Sequence, residues 1–477
     1  MTDVGARWSR RLAALLLVVL CIRLVSLGLY PLMDTTEPRY AEIARKMLAS
    51  GDWVTPWFDH GVPFWGKPPM SFWASAASMA LLGVNEIGAR LAPFIATVLT
   101  VALLWAWPRR QTDAAEIPWA AGVVLASSLL GFVSAGAVMT DMFMVLGTTL
   151  CMVGFRRAMV DQKPGIWPWL FFIGLAIGLL AKGPVATVLT MLALGLWVLW
   201  NRSWGAAWRR LPWFRGLLVT LVVVTPWYLL AEYRTPGFLR YFIIGEHVQR
   251  FLVSGWNGDL YGHPHSEVRG TIWWYALAGY MPWTVVALVA AVLAARRGPA
   301  MAGAFEPGEC SYLMSWLLAG ACFFTASHNV LPPYVLPGLP AFALLTALLM
   351  RHCAVAFAWI RHAYWSALIV PSVVVVLLLA APQALEQRSQ RELLRHWPEG
   401  EALAYIGPRP FSANFYSHGQ ALWLTQPEAV RKWLARSGPA SLVVEQRVLQ
   451  GLDEVALKRW TPVARHAGYV LLRREAE

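Results

Sequence analysis

Asp34-Thr-Thr-Glu-Pro-Arg-Tyr-Ala-Glu-Ile-Ala-Arg-Lys46, followed by Phe64-Trp-Gly-Lys-Pro-Pro69, is polar text set between apolar runs at 12–30 and 88–107. Charge beside a bilayer is expensive unless it is paired or used. Here carboxylates (Asp34, Glu37, Glu42) and cations (Arg39, Lys67) crowd one short segment. The stretch therefore reads as a loop at one membrane face, with Pro38 suited to the first turn of a short amphipathic helix. Ile43, Met47 and Leu48 are expected to face the membrane surface.

Composition supports the frame around that loop. The chain of 477 residues is 57% hydrophobic, only 14% charged, and carries 27 Trp, with a mean hydropathy of +0.49. Soluble domains carry about 25% charged residues, so this is a polytopic membrane protein. The net charge of +13 does not point to nucleic acid, because the basic residues lie in small clusters between apolar runs. Cys21, Cys151, Cys310, Cys322 and Cys353 fall in or beside apolar spans without metal-ligand spacing, so no disulfide framework is expected. Arg7-Trp-Ser-Arg-Arg11 precedes an apolar run with no small-residue cleavage site after it, which predicts an uncleaved first helix.

Eleven runs approach the ~20 residues needed to span, from 12–30 to 364–381. The short connectors holding Arg109/Arg110, Arg156/Arg157, Arg209/Arg210, Arg296/Arg297 and Arg351/Arg361 are predicted to be cytoplasmic. The opposite, outer face then receives the loops 31–87 and 232–270 and the turns near 137, 182 and 330. The C-terminal segment has the same address. From residue 382 the text becomes polar, with strand-like pieces at Leu403-Ala-Tyr-Ile, Ser441-Leu-Val-Val-Glu and Tyr469-Val-Leu-Leu and a helix at 427–437. The expected organisation is a membrane domain over 1–381 and a small α/β domain over 382–477.

The chemistry-bearing residues gather on the outer face. Asp141 opens a span at the boundary, and Lys182 sits at a helix–helix turn. Glu246-His247-Val-Gln-Arg250 and Asp259 through His263-Pro-His265 and Arg269 occupy the second long loop. Glu246, His247, His263 and His265 are the candidate ligands for a divalent cation. Arg250 and Arg269 are candidate phosphate clamps, Lys67 a point charge for phosphate, and Tyr334 lies in a proline-rich, irregular joint.

These motifs resemble the aminoarabinose (4-amino-4-deoxy-L-arabinose) lipid A transferase-like family, GT-C membrane glycosyltransferases related to the protein O-mannosyltransferases. The matches are Asp34-x-x-Glu37-x-Arg39-Tyr40-Ala-Glu-Ile, Gly51-Asp-Trp-Val-Thr-Pro, Lys67-Pro-Pro, Thr140-Asp141-Met, Lys182-Gly-Pro, Glu246-His247-x-Gln-Arg250-Phe and Pro333-Tyr334-x-Leu-Pro. They occur in family order from about 30 to 350. The resemblance implies a mainly α, polytopic helical bundle of about 11–13 spans with periplasmic loop helices and a small C-terminal α/β domain. It further implies a multi-pass protein of the bacterial inner membrane that moves a sugar from an undecaprenyl-phosphate donor to lipid A or a related envelope glycan on the periplasmic side. Asp34, Glu37 and Asp141 would be the acids of the site. Arg39, Lys67, Arg250 and Arg269 would neutralise donor or acceptor phosphate, and Tyr40, Lys182 and Tyr334 would line the cavity. The family carries a metal-binding glutamate immediately before Lys-Pro-Pro; Gly66 stands there in this chain, which speaks against zinc. The alternatives are a protein O-mannosyltransferase-like enzyme and a lipid-linked sugar transporter or flippase. A flippase fits less well, because the ionisable residues concentrate at one face and no repeated halves are visible.

Overall fold

The computed structural model describes residues 3–108, 116–262, 266–296, 305–354, 357–452 and 457–474. Helix α1 (Asp3–Ser26) leads into α2 (Thr36–Ser50), a short hairpin of β1 (Trp57–Asp59) and β2 (Val62–Pro63), α3 (Met70–Leu82) and α4 (Glu86–Leu103). Among the described residues five helical segments are long and apolar enough to cross a membrane: Glu86–Ala106, Asp141–Val160, Trp213–Arg234, Pro332–Ala354 and Ala358–Ala380. The run read as one span at 271–295 is a pair, Thr271–Gly279 and Trp283–Arg296, bent by 91°. Pro282 lies at the break, where a missing N–H interrupts the helical ladder. The protein is a multi-pass helical membrane bundle with a small C-terminal sheet.

Helix α2 shows how the polar loop is seated. Gly51 ends it in the left-handed region at φ +68°, a conformation open to glycine without steric cost. Tyr40, Ile43, Ala44 and Met47 recur at helical spacing and are buried with Phe64, Phe72 and Met79. Tyr40 meets Phe64 and Phe72 edge-on at 5.8 and 5.5 Å. The expectation that Ile43 and Met47 face the membrane surface is thus corrected: the following hairpin and α3 fold back and cover them. Asp52 organises that reversal, its Oδ1 accepting from the Val54 and Thr55 amides at 3.0 and 3.1 Å and from Arg234 at 2.8 Å.

The N-terminal approach to α2 is held by Arg90 of α4, which is fully buried. Its guanidinium donates to the carbonyls of Leu27, Tyr30 and Pro31 at 2.7, 2.7 and 2.8 Å and bidentately to Glu37 at 2.7 and 2.8 Å. It lies 3.8 Å from the Tyr30 ring centroid.

Glycines set the contact between the helices Asp141–Val160 and Trp167–Lys182. A Cβ on Gly147 would lie 2.7 Å from the Gly178 nitrogen, and one on Gly174 would lie 2.6 Å from the Gly147 carbonyl oxygen. Small residues four apart allow backbones this close. The antiparallel pair therefore brings the first residue of one helix, Asp141, beside the last of the other, Lys182.

The C-terminal segment forms a five-stranded sheet in the order β4-β3-β5-β7-β6. Its strands are β3 (Ala402–Ile406), β4 (Leu422–Leu424), β5 (Ala440–Glu445), β6 (Thr461–His466) and β7 (Tyr469–Arg474). β3 pairs in parallel with β4 and β5, while β7 is antiparallel to β5 and β6. The three foreseen strands are present, β4 and β6 are additions, and the helix at Pro427–Leu434 stops three residues short of expectation. The helix Phe411–Tyr416, after β3, packs on α2.

Breaking a buried ion pair by removing one partner costs about 3–5 kcal/mol. Arg90→Met is expected to lower the thermal unfolding midpoint of the purified protein markedly, and Glu37→Gln, which retains an acceptor, to lower it less. Equal midpoints for wild type and Arg90→Met would show that the pair does not hold this region together.

Candidate active site

The outer-loop motifs meet at one end of the bundle around a chamber of about 540 Å³. From the first loop come Thr35, Thr36, Arg39, Tyr40 and Lys67, and from the glycine-packed helix pair Asp141 and Lys182. Glu246, Arg250, Asp259 and Tyr261 enter from the second loop, and Tyr334 from the proline-rich joint. The chamber adjoins a second cavity of about 280 Å³ whose walls include Val185, Val188, Ile243, Phe251, Phe323 and Phe324. Lys67, Lys182, Glu246, Arg250, Pro333 and Tyr334 line both. A polar room thus opens on an apolar groove, with cations at the junction.

Two charge groupings fix the junction. Glu246, its side chain 4% exposed, receives Lys67 at 3.1 Å and Arg250 at 3.0 Å. The Tyr241 hydroxyl also donates to it at 3.3 Å. Arg250 reaches Asp259 at 3.5 Å. Burial pushes the Glu246 carboxyl upward, but Lys67 and Arg250 outweigh it and hold the group below its ordinary value. Burial likewise opposes the Lys67 charge, and Glu246 raises its pKa regardless. In the second grouping Lys182 pairs with Asp141 and stands 5.0 Å from the Tyr334 ring centroid. Arg39 is anchored by donating to the Tyr261 carbonyl at 2.6 Å and packs over Tyr40 and Phe411 at 5.4 and 5.5 Å.

Arg39, Tyr40, Lys67, Asp141, Lys182, Glu246, Arg250 and Tyr334, singled out in the sequence, therefore share one chamber. Asp34, Glu37 and Arg269 do not join them, and His247 lines only the adjoining groove. Asp34 turns to the C-terminal segment, its Oδ1 accepting from the Ser412 amide at 3.0 Å and its Oδ2 from the Ser412 hydroxyl. Burial raises its carboxyl above the ordinary aspartate value, against those hydrogen bonds. Glu37 is consumed by Arg90, and Arg269 is exposed and outside the lining. Asp34 and Glu37 are thus outside the chamber lining, with Ser412 and Arg90 as their side-chain partners.

Of the proposed metal ligands, His263 and His265 lie outside the described residues. Among the described residues no three His, Cys, Asp or Glu side chains converge. Glu246 is committed to two cations, and His247 directs Nδ1 at the Phe242 carbonyl (2.7 Å) and Nε2 at that of Lys182 (3.3 Å). The described pair does not fit a divalent cation. Gly66 has a packing reason of its own: a Cβ there would lie 2.9 Å from Cζ of Phe64, whose ring belongs to the α2 core.

Sequence reasoning missed Thr35, Thr36, Tyr261 and Phe411 as lining residues and left Asp259 without a role. Asp259 was legible as a carboxylate in a polar loop. Phe411 carried no local signal, because only the docking of the C-terminal segment brings it to the chamber.

Comparison with known proteins agrees with this architecture. A family model described as dolichyl-phosphate-mannose-protein mannosyltransferase matches residues 8–242. The undecaprenyl phosphate-alpha-4-amino-4-deoxy-L-arabinose arabinosyl transferase 1 of Pseudomonas fluorescens (strain Pf0-1) is 30% identical over 355 residues, 72% of this chain and 58% of the relative. The chain thus matches less than two thirds of that relative's length. The crystal structure of ArnT from Cupriavidus metallidurans in the apo state superimposes with a TM-score of 0.78 at 21% identity, covering 99% of this chain and 98% of that one. The same protein bound to undecaprenyl phosphate gives 0.76, covering 96% and 97%. At that identity the likeness establishes the fold. With the ordered motifs and the sequence relatives beside it, the chain belongs to the aminoarabinose lipid A transferase-like family of GT-C membrane proteins.

Proposed function

We propose that this chain is an inner-membrane glycosyltransferase that moves a sugar from an undecaprenyl-phosphate carrier to lipid A or a related envelope glycan, with its chamber on the periplasmic side. The observation that carries the reading is the junction of polar chamber and apolar groove. An amphiphile with an anionic head and an isoprenoid tail needs both, with cations between them. The names of the sequence relatives and the undecaprenyl phosphate bound by the ArnT fold neighbour support the same donor class.

Charge balance favours an anion. The described chamber lining has four cations (Arg39, Lys67, Lys182, Arg250) against three carboxylates (Asp141, Glu246, Asp259). The Nε atoms of Arg39 and Arg250 are buried without a hydrogen-bond partner among the described residues, so donors await an acceptor. A singly charged phosphodiester balances the excess. As the sugar–phosphate bond breaks, negative charge grows on the departing lipid phosphate, and fixed cations in a water-poor site stabilise it. Lys67 and Arg250 are the residues for that role. Positive charge developing at the anomeric carbon would be met by the chamber carboxylates, of which Asp141 is held by Lys182. A phosphate acceptor is already nucleophilic and needs no strong general base.

Lys67→Ala and Arg250→Ala are each expected to weaken undecaprenyl phosphate binding by about 10- to 100-fold, the range for one charge-assisted hydrogen bond. The measurement is binding to the purified full chain, paired with mass spectrometry of envelope lipids from cells with and without the gene. Unchanged affinity in both variants would remove the phosphate assignment, and unaltered lipids would remove the acceptor.

The Glu246 carboxyl sits below its ordinary value of 4.5, so it takes up a proton more readily unfolded than folded. Its contribution to stability is present above pH 4.5 and is lost as pH falls through the lowered folded value. Glu246→Gln should therefore unfold at lower temperature than wild type near pH 7, by about 3 kcal/mol, with a flatter decline toward acid. Parallel pH profiles for the two proteins would show that the grouping does not contribute.

A further inference from the structure

Asn329 lies in the joint between the helix Glu309–Thr325 and the 3₁₀ segment Pro332–Gly338. Its backbone is fixed from both sides. Its amide donates to Ser327 Oγ at 3.1 Å. The neighbouring His328 accepts from the Glu267 amide at 2.8 Å, and its Nδ1 stands 3.0 Å from the Glu267 carbonyl. Pro332 and Pro333 follow closely and restrict the chain on the other side. The side chain is 7% exposed and lines the apolar groove that also presents Lys67, Arg250 and Tyr334.

Within that wall Nδ2 and Oδ1 of Asn329 are both buried without a hydrogen-bond partner among the described residues. Because both atoms lack one, the choice of amide flip does not alter the observation. Buried polar groups in native proteins are almost always satisfied, so an amide unpaired at both ends in a ligand-sized groove calls for a partner. A carboxamide offers N–H donors and a carbonyl acceptor. An isoprenoid chain supplies neither complement. An ionised phosphodiester only accepts, which suits the orphaned guanidinium Nε atoms of Arg39 and Arg250 but leaves Oδ1 of Asn329 unmet. A sugar hydroxyl or amino group both donates and accepts.

We propose that Asn329 marks the sugar subsite, hydrogen-bonding a ring hydroxyl or amino group of the donor from the wall of the groove that Lys67, Arg250 and Tyr334 also line, and that it selects which sugar is transferred. The inference rests on the lipid-linked donor reading and adds the residue that discriminates among donors. A site built to hydrogen-bond a substrate group penalises analogues lacking it, because its own polar atoms then stay unpaired.

The test compares wild type, Asn329→Ala and Asn329→Asp as full chains in nanodiscs. The probes are sugar-free undecaprenyl phosphate and the same carrier bearing 4-amino-4-deoxy-L-arabinose or glucose. Asn329→Ala should bind the sugar-free carrier within about twofold of wild type and lose about 10- to 100-fold on the sugar-linked form that wild type prefers. Asn329→Asp, which keeps the acceptor and removes the N–H donors, should change the preference between the two sugars. Thermal unfolding of Asn329→Ala should match wild type or exceed it, since the unpaired amide is gone. Equal losses on the sugar-free and sugar-linked probes, or no loss on any, overturn the assignment of Asn329. A wild type that gains no affinity from either sugar also overturns it while leaving the carrier reading intact, whereas a wild type that binds no probe overturns both.

Discussion

A single guanidinium decides how the first loop meets the bundle. Isolated in the interior, the Arg90 charge would be prohibitively costly. Three backbone carbonyls and the Glu37 carboxylate satisfy it, which welds the turn at 27–31 and the start of α2 to α4. The weld fixes the direction in which α2 leaves the membrane. Thr35, Thr36 and Arg39 consequently reach the chamber while Glu37 does not. Glu37, whose motif position suggests chemistry, is held by an arginine 53 residues away in sequence.

What the sequence made legible follows the same logic of distance. Lys67, Asp141, Lys182, Arg250 and Tyr334 each stand beside apolar text, where an ionisable or polar group is conspicuous without knowledge of its neighbours. Most apolar runs became helices, and the change of composition near 382 marked the approach to the sheet. Helix α3 escaped notice because 13 residues rich in Ala and Ser fall below any spanning criterion and read as loop until its packing on α2 and α4 is known. The contact of Asp34 with Ser412 was hidden for a different reason: the two are 378 residues apart, and no local pattern announces that the C-terminal segment docks on the first loop. Asn329 was hidden because its significance is a lack of partners, which only three-dimensional packing displays.

The two charge groupings differ in what they leave over. Asp141 opens its helix and Lys182 closes the next, so each sits at the helix end whose dipole favours its charge. The glycine contact then presses them together, and the pair neutralises itself. Lys67 and Arg250 instead share Glu246, with Asp259 more distant at 3.5 Å. Lys67 and Arg250 thus face two carboxylates, and Arg39, anchored on the Tyr261 carbonyl, is the chamber cation left without a carboxylate among the described residues. An anionic head held among Arg39, Lys67 and Arg250 would leave its tail the apolar wall of Val188, Ile243 and Phe323 along which to run. A lipid-linked donor would then be oriented by the side of Lys67 and Arg250 on which the apolar groove opens.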